Sequence, residues 1–123
     1  MVEEKSILIV DDEINLRRSL AMIINKAGHR VAIAADGIEA LHLIENQPFD
    51  LVIIDLQLPD IAGSKLTELI HRNKKDLPII ILTAQPISDI HNQRLKNMII
   101  AYLDKPIEPV EILDKIDQVF SNL

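Results

Sequence analysis

Residues Leu51–Asp55 read LVIID, four consecutive apolar side chains followed by a carboxylate. An unbroken apolar run of this kind is typical of a strand that helices cover on both faces. Other short apolar runs recur along the chain, and segments with helical spacing separate them, as in βαβ units. The predicted strands are Ile7–Val10, Val31–Ala34, Leu51–Ile54, Ile79–Leu82 and Ile100–Leu103. This pattern predicts an α/β fold with a five-stranded parallel sheet.

Apolar residues at helical spacing fill the gaps between these runs and after the last of them, and they predict five helices. Gly28 supplies the left-handed residue that ends the first helix. Asp36 followed by Glu39 resembles a capping box at the start of the second helix. The fourth segment, Gln85–Asn97, is mostly polar and contains a proline, so its helix is expected to be short, mobile or irregular. The third and fifth helices follow the turns at 59–63 and 106–109.

The composition excludes several classes of protein. The chain has 13 basic and 19 acidic residues and a formal net charge of −6, so direct binding of DNA or RNA by this domain is not expected. The absence of cysteine excludes disulfides and zinc–thiolate sites. No apolar run is long enough to span a membrane, and the amino terminus lacks the pattern of a signal peptide. We expect one cytoplasmic domain over residues 1–123, with no membrane contact.

Polar side chains stand at the ends of four predicted strands. In an open parallel sheet, functional groups gather at the carboxyl ends of the strands. We therefore expect these side chains to lie together at one edge of the sheet. They are Asp11 and Asp12 after the first strand, Asp55 after the third, Thr83 after the fourth and Lys105 after the fifth.

The charges of this set predict a metal site. Carboxylates held together repel each other by about 4 kcal/mol per pair at ~4 Å and an effective dielectric of about 20. With −3 from the carboxylates, +1 from Lys105 and +2 from a divalent cation, the formal charges sum to zero. Oxygen ligands favour Mg²⁺, with Mn²⁺ as a substitute, and the main-chain carbonyl of Gln57 could supply a further ligand. Asp55 is a candidate nucleophile toward a phosphoryl group, since carboxylates form acyl phosphates.

Five short stretches, in order and at compatible spacing, resemble one known family. They are ILIVDDE at 7–13, DGIEAL at 36–41, DLVIIDLQLPDIAG at 50–63, PIIILTA at 78–84 and YLDKP at 102–106. The sequence resembles the response regulator receiver domain of two-component signalling over essentially its whole length. The resemblance implies a doubly wound, flavodoxin-like sheet with strand order 2-1-3-4-5.

The resemblance also implies roles for individual residues. Asp55 would be the phosphoacceptor and also a ligand of the metal. Asp12 would hold Mg²⁺ directly, Asp11 would hold it through water, and Gln57 would contribute its carbonyl. The remaining roles are Thr83 as the switch hydroxyl, Tyr102 as the aromatic rotamer switch, and Lys105 as the phosphate-contacting base in a cis peptide bond to Pro106.

The expected partners are a histidine kinase or phosphotransfer protein as the phosphoryl donor and a downstream effector domain or protein. The output surface would be the face formed by the fourth helix, the fifth strand and the fifth helix, which could also support a dimer. The chain would catalyse only its own phosphorylation and dephosphorylation, so it is not expected to be an enzyme with an external product. A constitutive, non-phosphorylated interaction module is the alternative. A phosphatase of the haloacid dehalogenase type is disfavoured, because it would want a second aspartate where Gln57 stands.

Several residues have simpler interpretations. A single aspartate at a strand end often caps a helix or forms a turn. Tyr102 could simply be a partly buried ring on an edge strand. Ile99, Ile100 and Ala101 depart from the Gly-Ala pair that many receivers carry before the switch aromatic. His29, His42, His71 and His91 lie far apart without metal-ligand spacing, so each is expected at the solvated surface.

Overall fold

Strands and helices alternate along the part of the chain that the computed structural model describes, residues 3–84 and 93–121. The strands are β1 Ser6–Val10, β2 Arg30–Ala34, β3 Leu51–Asp55, β4 Ile79–Thr83 and β5 Ala101–Asp104. The helices are α1 Ile14–Lys26, α2 Gly37–Asn46, α3 Gly63–Asn73, α4 Gln93–Met98 and α5 Pro109–Ser121. None of the helices in the described ranges is long and apolar enough to cross a membrane.

The strands form one parallel sheet in the order β2-β1-β3-β4-β5, which confirms the expected topology. Every residue of β3 and β4 is buried, as an unbroken apolar run predicts for strands in the middle of the sheet. The last strand begins at Ala101, one residue later than predicted. Ile100 lies just outside β5 and is 47% exposed. Its N–H still donates to the carbonyl of Ile79 at 2.9 Å.

Alternate strand residues enter two separate cores, one on each face of the sheet. Ile7 and Ile9 of β1 pack in the core that includes Leu20 and Ile24 of α1 and apolar residues of α5. Leu8 and Val10 pack in the other core, with apolar residues of α2 and α3. The chain is therefore wound on both sides of the sheet, and the carboxyl ends of the strands remain open at one edge.

The helix termini confirm most of the local signals. Gly28 has a φ of 102° directly after the end of α1, as predicted for the left-handed residue there. The Asp36 side chain accepts a hydrogen bond from Glu39 N at 2.8 Å. Glu39 Oε2 accepts from the N–H of Ala35 at 3.3 Å, so the reciprocal bond is displaced by one residue from the predicted capping box.

A distant aspartate also holds the start of α2. The carboxylate of Asp60, in the loop after β3, accepts hydrogen bonds from Gly37 N and Ile38 N, each at 2.9 Å. Ile61 N donates to the same carboxylate at 2.7 Å. Slight burial works against ionisation, but these main-chain donors outweigh it and lower the pKa of Asp60. The β3–α3 loop is therefore tied to α2.

The prediction of surface histidines is wrong for His29, which is only 5% exposed. Its Nδ1 accepts a hydrogen bond from the main-chain N–H of Lys5 at 3.0 Å, and its carbonyl accepts from Asn25 Nδ2 at 3.1 Å. A buried main-chain donor needs an acceptor, and the imidazole supplies one. His42 is exposed and His71 is partly buried.

The fourth helix is short, with six residues from Gln93 to Met98. Residues 85–92 of the predicted Gln85–Asn97 segment, which include His91, lie outside the described residues. The described part of α4 has one buried apolar residue, Leu95, and an ion pair from Arg94 to Glu68 of α3 at 3.3 Å.

Candidate functional site

The predicted site residues meet at the carboxyl edge of the sheet. Asp55 and Thr83 are the last residues of β3 and β4, and both are buried. Asp11 directly follows β1 and is completely buried, whereas its neighbour Asp12 is exposed. A cleft at this edge is lined by Asp12, Asp55, Leu56, Gln57, Leu58, Pro59, Ala84 and Lys105.

Asp11, Asp12 and Asp55 form a cluster with the donor set of a hard divalent cation. One carboxylate oxygen of each lies within 4.8 Å of the other two. Asp11 Oδ2 is buried and accepts no hydrogen bond from residues 3–84 and 93–121, but Lys105 Nζ lies 3.1 Å from it as an ion pair. Three clustered carboxylates, one of them exposed, supply the oxygen ligands that Mg²⁺ takes while it retains several waters.

Lys105 joins the two buried carboxylates. Its Nζ lies 3.1 Å from Oδ2 of Asp55, as a hydrogen bond, and 3.1 Å from Oδ2 of Asp11, as an ion pair. Burial alone would lower the pKa of Lys105, but the neighbouring carboxylates of Asp55 and Asp11 outweigh it and raise the pKa. The ammonium therefore stays charged at neutral pH. The Lys105–Pro106 peptide bond is cis, as the resemblance implied.

Asp55 is held from two sides. Its Oδ1 accepts a hydrogen bond from the main-chain N–H of Gln57 at 3.1 Å, and its Oδ2 faces Lys105. Burial raises the pKa of Asp55, and the charge of Asp11 adds to the effect, although the bonds from Gln57 and Lys105 oppose it. A cation bound beside Asp55 would therefore stabilise the charged form of its carboxylate.

Asp11 and Asp12 differ in how free their carboxylates are. The N–H of Asp11 donates to Ala34 O at 3.1 Å, and its Oδ1 accepts from Glu13 N at 2.8 Å. With Oδ2 paired to Lys105, both carboxylate oxygens of Asp11 are already engaged. Asp12 lies exposed at the mouth of the cleft. This difference favours Asp12 as the direct ligand of a bound cation.

Tyr102 lies on the edge strand β5 with a partly buried ring that packs against the core of the α2 and α3 face. Its hydroxyl is buried and has no hydrogen-bond partner within the described ranges, and burial raises its pKa. Gln57 is exposed and lines the cleft, where its N–H orients Asp55.

The sequence patterns did not point to three residues that contact the main chain near this site: Arg17, Asp60 and Gly63. Arg17 lies three and seven positions before Leu20 and Ile24, on the buried stripe of α1, and a charged residue on an apolar stripe is a signal that could have been followed. The bonds from Asp60 reach the start of α2, and Gly63 packs closely against the main chain of Asp55 and Leu56. Local patterns carry no sign of them.

Comparison with known proteins identifies the family. The model for the response regulator receiver domain matches residues 7–117. A probable transcriptional regulator, ycf27, from Cyanophora paradoxa is 35% identical over 94% of this chain and 48% of its own length. Response regulator MprA from Mycobacterium sp. (strain KMS) is 34% identical over 89% of this chain and 48% of its own length. The chain thus spans about half the length of these relatives.

Solved structures agree. A response regulator receiver domain protein from Methanospirillum hungatei JF-1 has a TM-score of 0.90 and 33% identity, covering 98% of this chain and 96% of the other. The response regulator protein TrrA from Thermotoga maritima, in complex with Mg²⁺-BeF, has a TM-score of 0.83 and 34% identity, covering 93% and 97%. The chain belongs to the response regulator receiver domain family, the signalling modules of two-component response regulators.

Proposed function

We propose that residues 1–123 act as a phosphoacceptor domain, in which Asp55 receives a phosphoryl group from a histidine kinase or phosphotransfer protein in a Mg²⁺-dependent reaction. The observation that carries this proposal is the clustering of three carboxylates within 4.8 Å, with Lys105 Nζ 3.1 Å from Asp55 Oδ2. The complex of TrrA with Mg²⁺-BeF supports the choice of metal. The proposal includes a cytoplasmic location, where the donor would meet the domain.

In the proposed reaction, a carboxylate oxygen of Asp55 forms a bond to phosphorus while the bond from phosphorus to the donor nitrogen breaks. The Gln57 N–H keeps the carboxylate oriented, and Lys105 remains protonated to pair with the phosphoryl oxygens. Asp12, Asp55 and the Gln57 carbonyl, with Asp11 through water, would hold Mg²⁺, which would supply charge neutralisation when bound. Water later cleaves the acyl phosphate, so the chain catalyses only its own modification and its reversal.

The test is phosphorylation by a small donor. Wild-type protein incubated with acetyl phosphate should gain one phosphoryl group in Mg²⁺ or Mn²⁺ and none in excess chelator. Intact-mass spectrometry measures the gain under both conditions. A protein that binds Mg²⁺ but never gains the group would instead be the constitutive interaction module.

Removing Asp12 should weaken Mg²⁺ binding more than removing Asp11. Asp12 is exposed and available as a direct ligand, whereas Asp11 already accepts from Glu13 N and pairs with Lys105. Loss of a supporting contact typically weakens metal binding roughly tenfold to a hundredfold, and loss of a ligand should exceed that. Titration calorimetry of Asp12→Ala and Asp11→Ala measures the difference. Equal or reversed losses would contradict the assignment.

The proposed output surface is the face of α4, β5 and α5, where an effector domain, a separate target or a second copy would bind. Ile100 and Val110 on this side are 47% and 67% exposed, which gives the face apolar contact area. Thr83 and Tyr102 would connect it to Asp55, because a hydroxyl drawn toward the phosphoryl group frees space into which the ring can turn.

Amide hydrogen exchange with and without Mg²⁺ and beryllofluoride, a phosphoryl mimic, should locate this surface. We expect protection to change over residues 93–105 as well as around Asp55, because both segments belong to one packed two-state element. Changes confined to the Asp55 cleft would contradict the proposed output face while leaving the phosphorylation site intact.

A further inference from the structure

Arg17 contacts the main chain at the peptide bond between Asp11 and Asp12. Its Nη1 donates a hydrogen bond to the carbonyl of Asp11 at 3.0 Å, across six residues. The side chain is partly buried on the same stripe of α1 as Leu20 and Ile24. A guanidinium in this position is tied to the backbone of the residue whose side chain faces the metal site.

With this bond, both main-chain polar groups and both carboxylate oxygens of Asp11 are in contact with other residues. Its N–H is bonded to Ala34, its Oδ1 to Glu13 N and its Oδ2 is paired with Lys105. The carbonyl is the remaining polar group, and Arg17 occupies it. Because Asp12 follows that carbonyl directly, any rotation of the Asp11–Asp12 peptide would have to break the bond to Arg17.

Folding alone is a poor explanation for an arginine here. Its Nε is buried and has no hydrogen-bond partner among the described residues. A buried donor without a partner lowers stability, and an unbranched apolar side chain would fill the stripe without that penalty.

We infer that Arg17 is a positioning residue for the metal site: it fixes the Asp11–Asp12 peptide. The inference rests on the proposed Mg²⁺-dependent function. Because the bond from Arg17 already fixes the Asp11–Asp12 peptide, the site needs less rearrangement when the cation binds.

The test is Mg²⁺ binding by titration calorimetry, with folding followed separately by urea unfolding without metal. Arg17→Met, which removes both charge and donor, should raise the dissociation constant roughly tenfold, in the range of lost supporting contacts at metal sites. Arg17→Gln, whose side chain is uncharged and too short to reach the carbonyl, should raise the dissociation constant by a similar factor. If Arg17→Met fails to fold, the dissociation constant of Arg17→Gln provides the test instead. Arg17→Lys should recover most of the affinity.

Arg18→Met is the matched control, since Arg18 is the exposed neighbour on α1. The Arg18→Met protein should bind Mg²⁺ as the wild type does. A lower urea midpoint with an unchanged dissociation constant in Arg17→Met or Arg17→Gln would overturn the inference. Wild-type protein that binds no Mg²⁺ would overturn the proposed function itself, which keeps the two failures distinct.

Discussion

Asp55→Asn protein incubated with acetyl phosphate and Mg²⁺ should gain no phosphoryl group, whereas the wild type gains one. The amide keeps the shape of the side chain but is not a nucleophile toward phosphorus. Unfolding should not explain the loss. Burial raises the pKa of Asp55 in the metal-free protein, so its charged form lowers stability at neutral pH and a neutral side chain relieves that effect. Intact-mass spectrometry after a fixed incubation measures the outcome.

Two matched variants separate the nucleophile from the metal ligands. Asp12→Asn should also slow phosphorylation, but a higher Mg²⁺ concentration should restore much of its rate, because this change weakens metal binding and leaves the nucleophile in place. Added Mg²⁺ should not rescue Asp55→Asn. Asp104→Asn, which changes an exposed carboxylate near the same edge of the sheet, should behave as the wild type. Wild-type phosphorylation of Asp55→Asn would remove Asp55 from the reaction.

The elements of the sheet were predictable because local patterns encode them. The unbroken apolar run Leu51–Ile54 predicts a doubly covered strand, and that strand is buried throughout. Once parallel strands are predicted, the meeting of Asp11, Asp55 and Lys105 follows from topology, since the carboxyl ends share one edge. The order 2-1-3-4-5 came from the resemblance to receiver domains and is confirmed.

The features that escaped prediction depend on contacts between distant segments. His29 is buried, and its Nδ1 accepts a hydrogen bond from the N–H of Lys5, 24 residues away. Asp60 caps α2 across 23 residues in its bond to Gly37. A sequence pattern reports which residues share a helix face or a strand, and it does not report which loop crosses which helix.

The fold requires a glycine at position 63. It is the first residue of α3, and its N–H donates to the carbonyl of Leu56 at 2.8 Å. A Cβ at this position would overlap the carbonyl oxygen of Asp55 and would lie 2.6 Å from Cα of Leu56. These atoms belong to the main chain of Asp55, the proposed phosphoacceptor, and of the next residue, so they can move only by moving the site.

Gly63→Ala should therefore lower the free energy of unfolding by about 1–3 kcal/mol, the range for overpacking, even though alanine favours a helix by ~1 kcal/mol over glycine. It should also slow the phosphorylation of Asp55, because the displaced backbone carries that side chain. Gly37→Ala is the matched control: Gly37 is likewise the first residue of its helix, but its Cβ would meet side-chain atoms of Ile61 at 3.1 Å, which can shift. Urea unfolding and the rate of phosphorylation by acetyl phosphate measure both variants. Equal stability losses in the two would show that the main-chain contact at Gly63 has no special effect.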